Sequence, residues 1–133
     1  MTDLAGIMHF SNFFRMMEVT EHAFFRSLGF SISLEDEGRK YGFPRVHVAC
    51  DYKVALRFED ELDVQLLVRE KRSKSLTYEF YFWKQQGEET LLAAKGAITA
   101  VCVAMDHESG KMKAVNIPAN LASKIEIAPQ NSP

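Results

Sequence analysis

The stretch Phe13–Leu28, "FFRMMEVTEHAFFRSL", decides the fold. Phe13, Met16, Met17, Thr20, Phe24 and Leu28 recur at three- and four-residue spacing, the period of an α-helix. One flank is nearly all apolar, while Arg15, Glu18, Glu21 and Arg26 lie elsewhere. Ser11 or Asn12 can cap the start, and Gly29 suits the left-handed position after the last turn. A helix with so large an aromatic and methionine face has to be enclosed by something.

What encloses it follows in the sequence. "SLEDEGRKYGFP" (33–44) reads as loop, and the pattern then changes to a period of two. In Val46–Phe58 the residues Val46, Val48 and Cys50 share a side, then Val54, Leu56 and Phe58 after a bend at Asp51. "ELDVQLLVREKRS" (61–73) sets Leu62, Val64, Leu66 and Val68 against Asp63, Gln65 and Arg69. "SLTYEFYFWKQ" (75–85) places Tyr78, Phe80 and Phe82 on one face and Thr77, Glu79, Tyr81 and Trp83 on the other. "TLLAAKGAITAVCVAMD" (90–106) runs on as a long strand, "DHESGK" turns, and the tail from Pro118 reads as a short helix that fades into a disordered end from about residue 125. One long buried helix and about four antiparallel strands make an α+β domain spanning residues 1–133, with the sheet curved around the helix.

Composition narrows the function. A chain of 133 residues buries enough surface to fold without disulfides or metal. Its 16 basic and 18 acidic residues are interspersed and sum to a formal charge of −2, which offers no footprint for nucleic acid or anionic lipid. Cys50 and Cys102 sit in apolar runs outside any CxxC or Cys/His cluster, as expected of reduced, buried thiols in a cytoplasmic protein. No apolar run approaches the eighteen or so residues that span a bilayer. No serine stands in a nucleophile elbow, and no His or Cys pair has metal-ligand spacing.

The start of the chain carries the most specific signal. "DLAGIMHFSNFFRMMEVTEHAFFRSLG" (3–29) resembles the signature of the 4-hydroxybenzoyl-CoA thioesterase group of the hotdog superfamily: an aspartate, a small residue and a glycine as D-x-A-G-[IV], a short loop with an aromatic, then the central helix. The matching positions are Asp3, Ala5, Gly6, Ile7, Phe10 and Asn12. Downstream, "FEDELDV", the two long strands and the ending "VAMDHESGKMKAVNIP" keep the family's order of elements. Members usually carry a first strand ahead of the aspartate, whereas this sequence begins two residues before Asp3, so the expectation is either that the true amino terminus lies further upstream or that the domain lacks that edge strand.

The resemblance implies an acyl-CoA thioester hydrolase with no cofactor beyond the coenzyme A of its substrate. It makes Asp3 the nucleophile or the general base on water, and the backbone N–H at Phe10 a donor to the oxyanion. Gly6 lets the loop approach the acyl group without a Cβ. His9 and Asn12 complete the catalytic candidates, although a pocket-lining histidine and a plain helix cap are the blander readings of the two. "REKRSKS" (69–75) is either a solvated hairpin tip or, through Arg72, Lys74 and Ser75, a site for the coenzyme's phosphates. The family works as a dimer or a dimer of dimers, so a homodimer or homotetramer is expected. Two other readings remain open: a hotdog module that binds acyl-CoA without cleaving it, and a cup-shaped carrier whose strand "TYEFYFW" lines an apolar cavity.

Overall fold

The computed structural model describes residues 10–36, 38–54, 56, 60–106 and 108–129. Helix α1 spans Phe10–Ser27. Gly29 follows at φ 87°, the left-handed turn expected after it. Ser11 and Asn12 are not caps: both lie inside the first turn, because the helix already includes Phe10.

Eight strands follow among the described residues. They are β1 (Leu34–Asp36), β2 (Arg39–Gly42), β3 (Arg45–Tyr52), β4 (Leu62–Lys71), β5 (Ser75–Gln86), β6 (Glu89–Val101), β7 (Val103–Met105) and β8 (Met112–Ala114). A second helix, α2, spans Ala119–Ala122. The long strands form an antiparallel sheet in the order β3-β6-β5-β4, and the short ones a second sheet in the order β1-β2-β7-β8. Val101 N donates to Pro44 O at 3.0 Å where the two sheets meet.

Four expectations differ from the structure. "SLEDEGRKYGFP" is not plain loop, for Leu34–Asp36 and Arg39–Gly42 pair as a hairpin, and β2 finds a second partner in β7. The long last strand is interrupted at Cys102, where β6 leaves one sheet and β7 enters the other. The segment from residue 125 is placed as far as Pro129: Ile125 is buried and Ala128 N donates to Val68 O at 2.8 Å. The third strand ends at Tyr52 rather than bending at Asp51 and running on to Phe58.

The inner face of the long sheet carries Val68, Tyr78, Phe80, Phe82, Ala94, Gly96, Ile98 and Ala100, and α1 lies across it with Phe13, Met17 and Phe25 fully buried. Phe13 meets Phe82 edge-on at 5.1 Å, and Phe25 meets Phe43 at 5.2 Å. Small residues on β6 make the seat. A methyl group added at Gly96 would lie 2.5 Å from Met17 Sδ, so the Met17 side chain in its present position packs directly on the glycine.

Candidate active site along the central helix

Helix α1 begins at Phe10. Its first backbone N–H groups have no intrahelical carbonyl to bind, and the helix dipole adds positive potential at the same end. Such an end suits an anion or a developing oxyanion. Asn12, half-buried, stands in this first turn. Asp3, Gly6 and His9 lie outside the described residues.

The flank of α1 that faces β3 holds an arrangement the sequence reading placed wrongly. Glu21, assigned there to the polar side, is the only fully buried charged residue among those described. It follows Met17 by four positions and precedes Phe25 by four, so it continues the buried stripe, and that spacing was the available signal. A carboxylate there needs a cation. Arg45, at the start of β3, supplies it through a hydrogen bond from Nη2 to Glu21 Oε1. Burial pushes the Glu21 carboxyl above the ordinary value of 4.5, and the Arg45 guanidinium pulls only partly in the other direction. The Tyr78 hydroxyl lies near enough to the carboxylate to influence it, but neither Tyr78 Oη nor Glu21 Oε2 completes a hydrogen bond of good geometry, and Arg45 Nε lacks a partner as well. Burial beside a carboxylate also drives the Tyr78 phenol far above its usual range.

Next to this cluster is a cavity of about 380 Å³ lined by Phe14, Glu18, Arg45, Val48 and Ile98. Arg45 Nη1 stands 3.9 Å from Glu18 Oε2 across it.

The candidate phosphate ligands are elsewhere. Arg72, Lys74 and Ser75 form the β4–β5 hairpin tip, where Arg72 N donates to Ser75 O at 2.9 Å. The Arg72 side chain is exposed and pairs only loosely with Glu70, at 3.4 Å. The tip itself is held firmly, since Lys74 O accepts from Cys102 N and Ser73 O from Ile117 N. Ile117 also lines a polar cavity of about 710 Å³ with Asp36, Arg39, Tyr41 and Asn116. The tip is therefore an ordered platform that carries the exposed Arg72 side chain near a depression.

Two further expectations can be placed. Tyr78, Phe80 and Phe82 are fully buried core rather than the lining of a cavity, because α1 occupies the space a carrier would leave for its ligand. Both cysteines are free thiols, Cys102 buried and Cys50 half-buried, and burial raises each to about 11, leaving negligible thiolate at neutral pH.

The family model for the thioesterase-like superfamily matches residues 1–125. The chain belongs to that superfamily. Among its relatives, a protein of Aquifex aeolicus named as a putative esterase is 31% identical over 118 residues, covering 88% of this chain and 83% of the relative. The acyl-CoA thioesterase YbgC of Haemophilus influenzae is 26% identical over 117 residues, covering 88% and 80%. The solved BH1999 gentisyl-coenzyme A thioesterase superposes with a TM-score of 0.75 at 27% identity, covering 94% of this chain and 91% of that one. The expected α+β hotdog fold, an antiparallel sheet around one central helix, is the fold of this thioesterase-like chain. Its described residues contain no helix long and apolar enough to cross a membrane.

Proposed function

We propose that this superfamily member hydrolyses acyl-CoA thioesters at the amino end of α1, releasing a free acid and coenzyme A. The observation that carries the reading is the superfamily match over residues 1–125, which includes both the helix start and the D-x-A-G segment before it. Relatives named as acyl-CoA and gentisyl-CoA thioesterases support the substrate class.

Hydrolysis needs an oxygen nucleophile at the thioester carbon and donors at the carbonyl oxygen. In this reading Asp3 supplies the carboxylate, which either attacks the carbonyl itself or takes a proton from the attacking water. Charge that develops on the carbonyl oxygen meets the N–H of Phe10 and the positive end of α1. One such donor is worth about 3 to 4 kcal/mol in comparable sites. Gly6 admits the acyl group, while His9 and Asn12 border it. When the tetrahedral centre collapses, the C–S bond breaks and the thiolate of coenzyme A takes up a proton from solvent; where Asp3 itself attacked, water then hydrolyses the acyl–Asp3 anhydride to the free acid and restores the carboxylate. Arg72 and Lys74, with Ser75 shaping the turn, hold the coenzyme's phosphates at the hairpin tip, and no cofactor takes part. The reading places the protein in the cytoplasm.

The test is turnover of aromatic and medium-chain acyl-CoA esters by the purified protein, followed with a thiol reagent, beside Asp3→Asn. We expect the variant to lose about 10²-fold or more in kcat. Equal rates would take Asp3 out of the mechanism. Acyl-CoA binding without turnover by the wild type would replace hydrolysis with a binding module. Arg72→Ala with Lys74→Ala is expected to raise KM and to flatten its dependence on salt.

A further inference from the structure

We infer that Glu21, Arg45 and Tyr78 together enclose a binding site for one ordered water molecule, which ties α1, β3 and β5 to one another inside the domain. This goes beyond the hydrolysis proposed above and does not depend on it.

Three buried polar atoms meet no hydrogen-bonding partner in the protein: Glu21 Oε2, Arg45 Nε and Tyr78 Oη. Among the described residues they are the only side-chain N or O atoms in that condition. They come from three different elements, α1, β3 and β5, and yet belong to one cluster. Buried polar groups are nearly always paired, so three orphans gathered in one place, rather than scattered through the core, point to a shared partner.

Their closeness follows from the contacts between them. Arg45 Nη2 donates to Glu21 Oε1. Nε shares the guanidinium carbon with Nη2, and Oε2 shares the carboxylate carbon with Oε1, so each orphan is the neighbour of an atom already bonded. The Tyr78 hydroxyl feels both the Glu21 carboxylate and the Arg45 guanidinium. One small molecule can therefore touch all three.

What that molecule is follows from the donors and acceptors. Arg45 Nε–H only donates, the Glu21 carboxylate only accepts, and the Tyr78 hydroxyl does either. A metal cation offers nothing to Nε–H, and a halide offers nothing to Oε2. Water serves all three: its oxygen accepts from Arg45 Nε and Tyr78 Oη, and one of its hydrogens goes to Glu21 Oε2. About three bonds is the usual number for a buried water. A direct bond from Tyr78 to Glu21 satisfies two of the atoms and leaves Nε–H buried without an acceptor, which is the costlier arrangement.

The water braces Arg45, the first residue of β3, against the helix. Arg45 also lines the outer cavity of about 380 Å³, whereas Glu21 and Tyr78 are fully buried, so exchange of the water with solvent waits on movement of the arginine side chain.

The test is a high-resolution crystal structure of the wild-type protein, together with magnetic relaxation dispersion of the water oxygen signal, which counts long-lived internal waters. One density peak is expected at about 2.6 to 3.2 Å from all three atoms. The count should fall by one when Glu21→Leu, Arg45→Met and Tyr78→Phe are combined, because water then has nothing to bond. In Tyr78→Phe alone the water loses one of its bonds and should exchange about 10-fold faster. A wild-type map in which Tyr78 Oη donates directly to Glu21 Oε2, with no peak at Arg45 Nε, overturns the inference. A count unchanged in the triple variant, or an exchange rate untouched by Tyr78→Phe, overturns it as well. Should the triple variant fail to fold, the wild-type map and the single variant decide.

Discussion

Glu21 shows how one side chain takes its chemistry from its surroundings. Burial is the larger influence on its carboxyl and raises it, while Arg45 and, to a smaller extent, Tyr78 and His22 pull it down. A carboxyl raised on folding adds stability that is fully present below its ordinary value of 4.5 and is lost as the pH climbs through its folded value. The free energy of unfolding of the wild type, measured in urea between pH 4 and pH 8, should therefore fall relative to that of Glu21→Gln as the pH rises. A difference between the two proteins that stays constant with pH would contradict this account. The sequence held a clue to this residue in its place between Met17 and Phe25, but residue type outweighed spacing. Nothing in the order of amino acids showed that Arg45 would come to lie against it, because the two are 24 positions apart and belong to different elements.

Among the elements, α1 and β5 were the most legible, each having a long run of one unbroken period. The hairpin β1–β2 was not, since its strands are three and four residues long and rich in charge. They persist because β7 accepts β2 as a neighbour, a contact between segments some sixty residues apart. The carboxy-terminal segment was misjudged for a related reason. Leu121 and Ile125 are buried, Lys71 Nζ donates to the carbonyls of Ala122 and Ile125 at 3.0 and 2.9 Å, and Ala128 ties down beside β4. Ending the chain after Pro118 removes two buried aliphatic side chains, and we expect it to cost about 3 to 6 kcal/mol in urea unfolding. A loss below about 1 kcal/mol would show that the segment is an ornament.

At the scale of the whole molecule the two edges of the long sheet differ. The tail bonds to β4 at Val68, whereas β3 has no neighbour on its outer side among the described residues. Val46, Val48 and Tyr52 on β3 are exposed, at 63, 37 and 48%. An open edge of eight residues with exposed Val46, Val48 and Tyr52 invites another strand, and β3 of a second copy is the simplest one to supply. In sedimentation experiments the wild type should run as a dimer or tetramer of the 15.1 kDa chain, and Val46→Lys should shift it toward monomer without unfolding it. A wild type that stays monomeric at micromolar concentration would rule out pairing through β3.

Periodicity by itself determined that one helix is enclosed by an antiparallel sheet, since a stripe of Phe and Met on α1 and alternation along β4, β5 and β6 each demand a buried partner. The D-x-A-G segment ahead of that helix pointed to the superfamily. Only the tertiary structure decided that Gly96 lets Met17 settle on the sheet, that a carboxylate lies within the core, and that an arginine from the edge strand answers it. Those outcomes depend on which distant segments meet, and a local pattern records the preferences of each segment but not the contacts made between them.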